Sequence, residues 1–160
     1  MIGSEGHVRS DRHESMDLQQ LIERYVGRYF LYVHQWLFEM TDGRVSWLGG
    51  LPSLLLRTTG RKTGAERTAA LVYLEDGKDL VVVASNGGSD RPPAWLLNVQ
   101  KTPTVGVQIG RERRQMQARV ANPAERARLW PLVNERNAGR YDAYQSRTKR
   151  EIPLVILSRE

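Results

Sequence analysis

The 160-residue sequence contains no cysteine, which excludes disulfides, thiolate metal ligands and cysteine nucleophiles. Histidine is also scarce, and the spacing of His7, His13 and His34 matches no metal-ligand pattern. No metal site is therefore predicted. No apolar run reaches the ~18 residues that a membrane-spanning helix requires. The polar N-terminus lacks the apolar segment of a secretory signal, which favours a cytoplasmic location.

Acidic residues are fewer than basic ones, 18 against 24, so the net charge is +6. A basic balance suits nucleic acid, an anionic membrane or an acidic small molecule. The hydrophobic content of 40% is ordinary for a globular domain. We expect a disordered tail over residues 1–15 and a single domain over residues 16–160.

Much of the positive charge lies in one short turn between two strand-like segments. Gly60 and Gly64 flank its centre, and only Glu66 offers a compensating negative charge. Such a turn combines exposed amides with cations, which favours binding of phosphate or carboxylates. A solvated hairpin turn is the alternative interpretation. The cations fall within eleven positions and are Arg57, Arg61, Lys62 and Arg67.

The apolar pattern predicts one long helix, several strands and shorter helices. Three- and four-residue spacing from Asp17 to Met40 indicates an amphipathic, aromatic-rich helix. Three further helices are expected at Arg91–Lys101, Pro123–Asn137 and Tyr141–Thr148, with Ser89 or Asp90 capping the first and Asn122 the second. Strands are expected at Leu54–Thr58, Thr68–Leu74, Leu80–Ser85, Thr104–Ile109, Gln115–Val120 and Ile152–Leu157.

The order of these elements predicts the fold class. Short strands with few helices between them do not alternate as a parallel sheet requires. Asp76-Gly77 is a hairpin signal between two of the strands. We expect a mainly β, α+β domain, a small barrel with peripheral helices.

Two other segments could contact a ligand. From Ser85 the chain passes through Gly87-Gly88 to the start of a helix with Trp95 in its first turn. Free amides at a helix start favour an anion, and the aromatic ring could stack on a ligand. Tyr141 and Tyr144 fall on one face of a later helix, where their hydroxyls could donate hydrogen bonds. Plain turn formation and core packing are the alternatives.

These motifs occur in an order that resembles the deazaflavin-dependent nitroreductase family of actinobacteria. The resemblance extends from about Ser53 to Leu157. It rests on five segments: Gly60-Arg61-Lys62-Thr63-Gly64, Ala84-Ser85-Asn86-Gly87-Gly88, Pro93-Ala94-Trp95 with Asn98, Tyr141 to Gln145, and Arg150-Glu151-Ile152-Pro153-Leu154.

The resemblance implies a split β-barrel related to flavin-binding barrels, and a role for coenzyme F-420. This coenzyme is a 5-deazaflavin with a phospholactyl-oligoglutamate tail, so its phosphate and carboxylates would be the anions that the basic turn binds. The resemblance implies that the phosphate and tail would be held by Arg61, Lys62, Thr63 and Arg67. The deazaflavin ring would lie along Ala69, Ala70 and Leu71. The coenzyme would be bordered by Ala94 and Trp95.

The resemblance also implies a substrate site. Ser85 would lie near the ring and substrate, while Tyr141 and Tyr144 would line the substrate pocket. Two positions depart from the family pattern: Ala138 replaces a third tyrosine, and Ala94 replaces a bulkier residue. Both changes enlarge the pocket or make it less polar, which leaves nitroimidazole reduction open.

The function expected is hydride transfer from reduced coenzyme F-420 to a small conjugated acceptor, a quinone, enone or nitro compound. One alternative keeps the barrel and binds FMN through the same turn. Another is a single-stranded nucleic-acid-binding module, although the aromatics cluster away from the basic turn. The helix from Asp17 could also bring the enzyme to a membrane surface. The oligomeric state is left open.

Overall fold

The computed structural model describes residues 47–48 and 51–159. The tail predicted for residues 1–15 and the helix predicted from Asp17 to Met40 lie outside these residues, and so does the predicted membrane contact of that helix. Among the described residues, no helix has the length and apolar character needed to cross a bilayer.

The described chain is mainly β. Its helices are α1 (Ala94–Lys101), α2 (Pro123–Arg136) and α3 (Arg140–Gln145), and a short 3-10 turn covers Asn86–Gly88. Its strands are β1 (Trp47–Leu48), β2 (Leu51–Thr59), β3 (Glu66–Asp76), β4 (Asp79–Val83), β5 (Thr104–Ile109), β6 (Glu112–Val120) and β7 (Leu154–Ser158).

Six of the strands form a closed barrel. All pairings are antiparallel, in the order β2-β3-β4-β7-β6-β5, and a further pairing of β5 with β2 closes the ring. Leu56 pairs with Ala69 on one side and with Val107 on the other. Closure removes the exposed strand edges that invite aggregation. The prediction of a barrel with peripheral helices is confirmed.

The barrel interior is filled by alternate residues of the strands. Leu54 and Leu56 of β2 face inward, as do Leu71 and Tyr73 of β3, because successive side chains of a strand point to opposite faces. Helix α1 closes one end of the barrel. Its residues Trp95, Leu96 and Val99 are buried in the same apolar cluster.

Helices α2 and α3 pack on the outside of β4 and β7. Leu129 and Val133 of α2 and Tyr141 of α3 join a second apolar cluster. On the strand side it includes Val81, Val83, Leu154 and Ile156. This layer positions α3 beside the loop that follows β4.

The predicted strand and helix positions largely agree with the structure. The strand Thr104–Ile109 is found with its predicted bounds, and Asn122 caps α2 as expected. The Asp76-Gly77 turn joins β3 to β4. The terminal strand β7 starts at Leu154 instead of Ile152. It is central as predicted, because it pairs with β4 on one side and with β6 on the other.

The helix predicted from Arg91 begins only at Ala94, and neither Ser89 nor Asp90 caps it. Pro93 is its N-cap, with extended backbone angles. The residue before a proline is driven out of the helical region, so the paired prolines delay the start. The predicted third helix begins at Arg140 instead of Tyr141 and ends at Gln145, short of Thr148.

The α2 cap offers a test of helix stability. The Asn122 side chain accepts from the Glu125 amide, and the Glu125 carboxylate accepts from the Asn122 amide. Asn122→Ala should lower the free energy of unfolding by about 1 kcal/mol, measured by urea denaturation. Gln100→Ala, at an exposed position of α1, is the control; an equal loss in both variants would contradict the cap's contribution.

This contribution should also depend on pH. Hydrogen bonding by Arg119, and then by the Asn122 amide, lowers the pKa of Glu125 from 4.5 to about 2. A depressed folded-state pKa stabilises the fold above the unfolded value. The Glu125 contribution should therefore be complete above about pH 4.5 and disappear as the pH falls through 2.

Candidate functional site

The basic turn between β2 and β3 is a tight hairpin loop. The Gly60 amide donates to the carbonyl of Ala65 at 2.8 Å, and the Gly64 amide donates to the carbonyl of Gly60 at 2.7 Å. A Cβ added at Gly60 would lie only 2.8 Å from the Ala65 oxygen, and Gly64 has φ +73°. Both glycines are thus required by the turn itself. Lys62 and Thr63 are exposed at its tip.

Helix α1 braces this turn. The amide of Arg61 and its Nη1 both donate to Oδ1 of Asn98, at 3.1 and 3.3 Å. Nζ of Lys101, the last residue of α1, donates to the carbonyl of Arg61 at 2.8 Å. The turn is therefore tied to the helix that closes the barrel, and Lys101 adds another cation to it.

The charges of this region are not neutralised within the described residues. Glu66 lies 3.8 Å from Nε of Arg57, whose Nη2 also donates to Gln108. The residues that carry the remaining charge have no carboxylate within ion-pair distance among residues 51–159. They are Arg61, Lys62, Arg67 and Lys101, and we call them the cation set. By contrast, Arg119 and Arg128 bind carboxylates at 2.7 Å. Unpaired like charges raise the local positive potential, which favours a polyanion.

The small residues of β3 follow the turn directly. Ala69, Ala70 and Leu71 are all half-buried. Ala69 and Leu71 pack against the barrel interior, whereas Ala70 pairs with Leu55 and faces the opposite side. The strand thus places short side chains on both faces next to the cation set.

The loop after β4 is held against α3. Gly88 is buried with φ +82°, and a Cβ there would lie 2.6 Å from the carbonyl oxygen of Tyr144. Arg150 fixes the same loop. Its guanidinium donates to the carbonyls of Ser89 at 2.8 Å, Ala84 at 3.1 Å and Ser85 at 2.8 Å. The missing side chain of Gly88 therefore lets the backbone of this loop lie directly against α3. Ser85 itself is half-buried.

The predicted coenzyme-border residues lie in the first turn of α1. Trp95 is 9% exposed and belongs to the barrel core. This burial agrees with core packing, the alternative to ligand stacking for this side chain. Ala94, next to it, is exposed.

The two tyrosines have different environments. Tyr141 is buried beside Trp130, and burial, with Tyr144 as the secondary cause, raises its pKa from 10.0 to about 12. Tyr144 is half-buried, with its ring 6.2 Å from that of Tyr141. The Arg147 guanidinium lies 5.6 Å from the Tyr144 ring centroid. Tyr144 is therefore the more accessible of the two side chains.

Helix α1 links these regions into one arrangement. Asn98 and Lys101, in its C-terminal half, contact the basic turn, whereas its N-terminus follows the loop that packs on Tyr144. Eight helical residues span about 12 Å. The arrangement can bind an anion at one end and offer hydroxyl and amide donors at the other, as an elongated ligand with an anionic tail requires.

Asn98 and Arg150 belong to segments that carry the resemblance, but the sequence gives neither of them a specific role, and it gives none to Lys101. Asn98 is a polar residue inside the apolar segment Trp95–Val99, which could have marked it as a buried bridge. A lysine at a helix end is common and carries no comparable signal. Arg150 acts through backbone carbonyls distant in the chain, so no local pattern identifies its contacts.

Gly88 provides a direct test of the loop contact. Gly88→Ala should lower the free energy of unfolding by about 3 kcal/mol, because the new methyl overlaps the Tyr144 carbonyl and the backbone is left-handed. Gly87→Ala is the matched control: it also has positive φ but no atom within 4 Å of the added Cβ, and should cost about 1 kcal/mol. Thermal unfolding of both variants would check this, and equal losses would contradict the contact.

Comparisons with known proteins extend over most of the chain. Residues 31–159 match the F420H(2)-dependent quinone reductase family. An F420H(2)-dependent quinone reductase of Mycobacterium tuberculosis is 44% identical over 148 residues, which cover 90% of this chain and 99% of that protein.

Solved structures share the barrel. An F420-H2 dependent reductase (FDR-A) has a TM-score of 0.61 and 37% identity, covering 67% of this chain and 94% of that one. A structure described as a domain-swapped dimer has a TM-score of 0.62 and 28% identity, covering 89% of this chain and 100% of that one. The likeness thus includes both sequence and fold.

Proposed function

The chain belongs to the F420H(2)-dependent quinone reductase family, and from this premise we propose that it uses reduced coenzyme F-420 to reduce a quinone. The observation that carries the proposal is the cation set, which has no neutralising carboxylate among residues 51–159. Such a concentration of positive charge suits an anionic ligand with more than one charge.

The residues fit the coenzyme's tail. Arg61, Lys62 and Arg67 offer guanidinium and ammonium donors for its phosphate and carboxylates. The Thr63 hydroxyl and the amides of Lys62 and Thr63, which donate to no backbone carbonyl within the turn, supply neutral donors. Lys101 extends the charge onto a second element. FMN carries a single phosphate, so it would leave part of this charge unused; the chemistry of the turn favours the longer anion.

We assign the remaining predicted residues around the ring. Ala69, Ala70 and Leu71 provide short side chains beside which a flat ring can lie close to the backbone of β3. Ala94 and Trp95 border it from α1, with Trp95 acting from the barrel core. When bound, the reduced coenzyme supplies a hydride.

The chain's own part in the reaction is to hold the acceptor and stabilise its oxygen. Reduction places negative charge on a quinone oxygen, and a hydroxyl donor aimed there stabilises the developing charge. Tyr144 fits this role because it is half-buried and accessible, and Ser85 lies in the loop packed beside it. Tyr141 supports the Tyr144 ring from the protein interior.

A quinone is favoured over an enone or a nitro compound for two reasons. The matching family and the Mycobacterium tuberculosis relative are both named for quinone reduction. Ala94 and Ala138 are both exposed, so neither side chain closes the region to a bulky acceptor.

The experiment is a titration of the purified protein with oxidised coenzyme F-420 and with FMN, followed by turnover assays with reduced coenzyme and each acceptor class. We expect binding of coenzyme F-420 far tighter than of FMN, and the highest kcat/KM with quinones. Preferential FMN binding would contradict the coenzyme assignment. Faster reduction of enones or nitro compounds would contradict the acceptor assignment alone.

A further inference from the structure

We propose that Asn98 is a positioning residue, which fixes the Arg61 guanidinium for the coenzyme's anionic tail while leaving its charge intact. This inference rests on the proposed function and adds a specific role for a side chain that does not itself touch the ligand.

Asn98 is almost completely buried, at 3% exposure, and both the oxygen and the nitrogen of its amide are hydrogen-bonded. Oδ1 accepts two hydrogen bonds from Arg61, one from the main chain and one from the guanidinium. Nδ2 donates to Oγ1 of Thr58 at 3.1 Å. A buried amide with these bonds has one orientation only, so it holds Arg61 at a defined place relative to α1.

The partners require an amide at this position. The Thr58 hydroxyl donates its proton to the carbonyl of Arg67, so towards Asn98 it can only accept. An aspartate carboxylate has no proton to donate there at neutral pH, and would face the hydroxyl oxygen with a lone pair. Asparagine therefore satisfies Thr58 and Arg61 together, whereas aspartate satisfies only Arg61.

The neutral amide also preserves the charge of the turn. A carboxylate beside Arg61 would form an ion pair and cancel one positive charge of the cation set. An amide oxygen also orients the guanidinium, and it leaves the remaining N–H groups and the full charge for a ligand. Lys101 holds the Arg61 carbonyl from the other side, so residue 61 is fixed at both its amide and its carbonyl.

The test compares two ligands: coenzyme F-420 and the same deazaflavin alcohol without phosphate and glutamates. Asn98→Asp should weaken binding of the complete coenzyme about tenfold, the effect of one lost charge-assisted hydrogen bond. Binding of the tail-less compound should stay within about twofold, because the ring site is untouched. Affinity for the complete coenzyme should also become less dependent on salt.

Two further variants separate positioning from general damage. Thr58→Val removes the other bond of Asn98 but keeps both bonds to Arg61, so it should lower the melting temperature while tail binding stays within about twofold. In an Arg61→Gln background, Asn98→Asp should have little additional effect, because a residue that acts through Arg61 is coupled to it. If Asn98→Asp fails to fold, Asn98→Ser serves in the same cycle and should weaken tail binding by a similar factor.

Equal affinity and salt dependence in Asn98→Asp and the unmodified protein would overturn the inference. Equal weakening for both ligands, or full additivity with Arg61→Gln, would also overturn it. If the unmodified protein binds neither ligand, the proposed function itself fails. Failure of the Asn98 inference is distinguishable from this, because the unmodified protein would then still bind the coenzyme.

Discussion

Tyr144→Phe should lower kcat for quinone reduction about 100-fold, the usual scale for loss of a positioned proton donor. The variant removes one oxygen and keeps the ring, so the contacts with Tyr141 and Arg147 remain. The affinity for coenzyme should change by less than about twofold, because the cation set lies at the other end of α1. Steady-state kinetics with reduced coenzyme and a quinone, beside a fluorescence titration, measure the two quantities separately.

Tyr141→Phe is the matched control for this prediction. Its hydroxyl belongs to a buried side chain whose pKa of about 12 keeps it protonated at neutral pH, and its ring packs in the outer apolar cluster. Turnover should therefore fall far less than in Tyr144→Phe. Equal kcat values for Tyr144→Phe and the unmodified protein would remove Tyr144 from the reaction. Equal losses in both variants would indicate a packing effect.

Lys62→Glu should weaken coenzyme binding about 100-fold at low salt, because it removes one attraction and adds one repulsion near the tail, each worth about 1–2 kcal/mol. Lys62 is exposed at the tip of the turn, so the fold should be unaffected. The loss should shrink as salt rises from about 0.01 M to about 1 M, since the screening length falls from about 30 Å to about 3 Å.

Lys78→Glu provides the control for charge reversal. Lys78 is also an exposed lysine in a hairpin turn, the one between β3 and β4, but β3 carries this turn to the opposite end of the barrel. The net charge of the protein changes by the same amount in both variants. Equal weakening in both would show that only the overall charge matters; no weakening in Lys62→Glu would exclude that lysine from the tail site.

The barrel could be predicted because its strands carry their own signals. The apolar and β-branched runs of β2 and β3, the Asp76-Gly77 turn and the uninterrupted apolar residues of β7 are local properties of the chain. The start of α1 could not be placed as well. Ser89 and Asp90 are good capping residues and suggested an earlier start. Pro92 and Pro93 instead keep the backbone extended, so the helix begins only at Ala94.

The charge of the turn was evident from the sequence, whereas the contacts that hold the turn against α1 were not. Asn98 and Lys101 reach the turn only because α1 closes the barrel at that end. Gly87-Gly88 was conspicuous in the sequence, but the packing of Gly88 against the Tyr144 carbonyl of α3 was not. Contacts between segments distant in the chain decide such details, and local patterns do not encode them.

The most direct measurement is a crystal structure of the protein with oxidised coenzyme F-420. We predict the phosphate and first carboxylates within hydrogen-bond distance of Arg61, Lys62 and Thr63, with the ring extending towards Tyr144. A coenzyme bound elsewhere, with the cation set contacting only solvent, would contradict the assignment of this site.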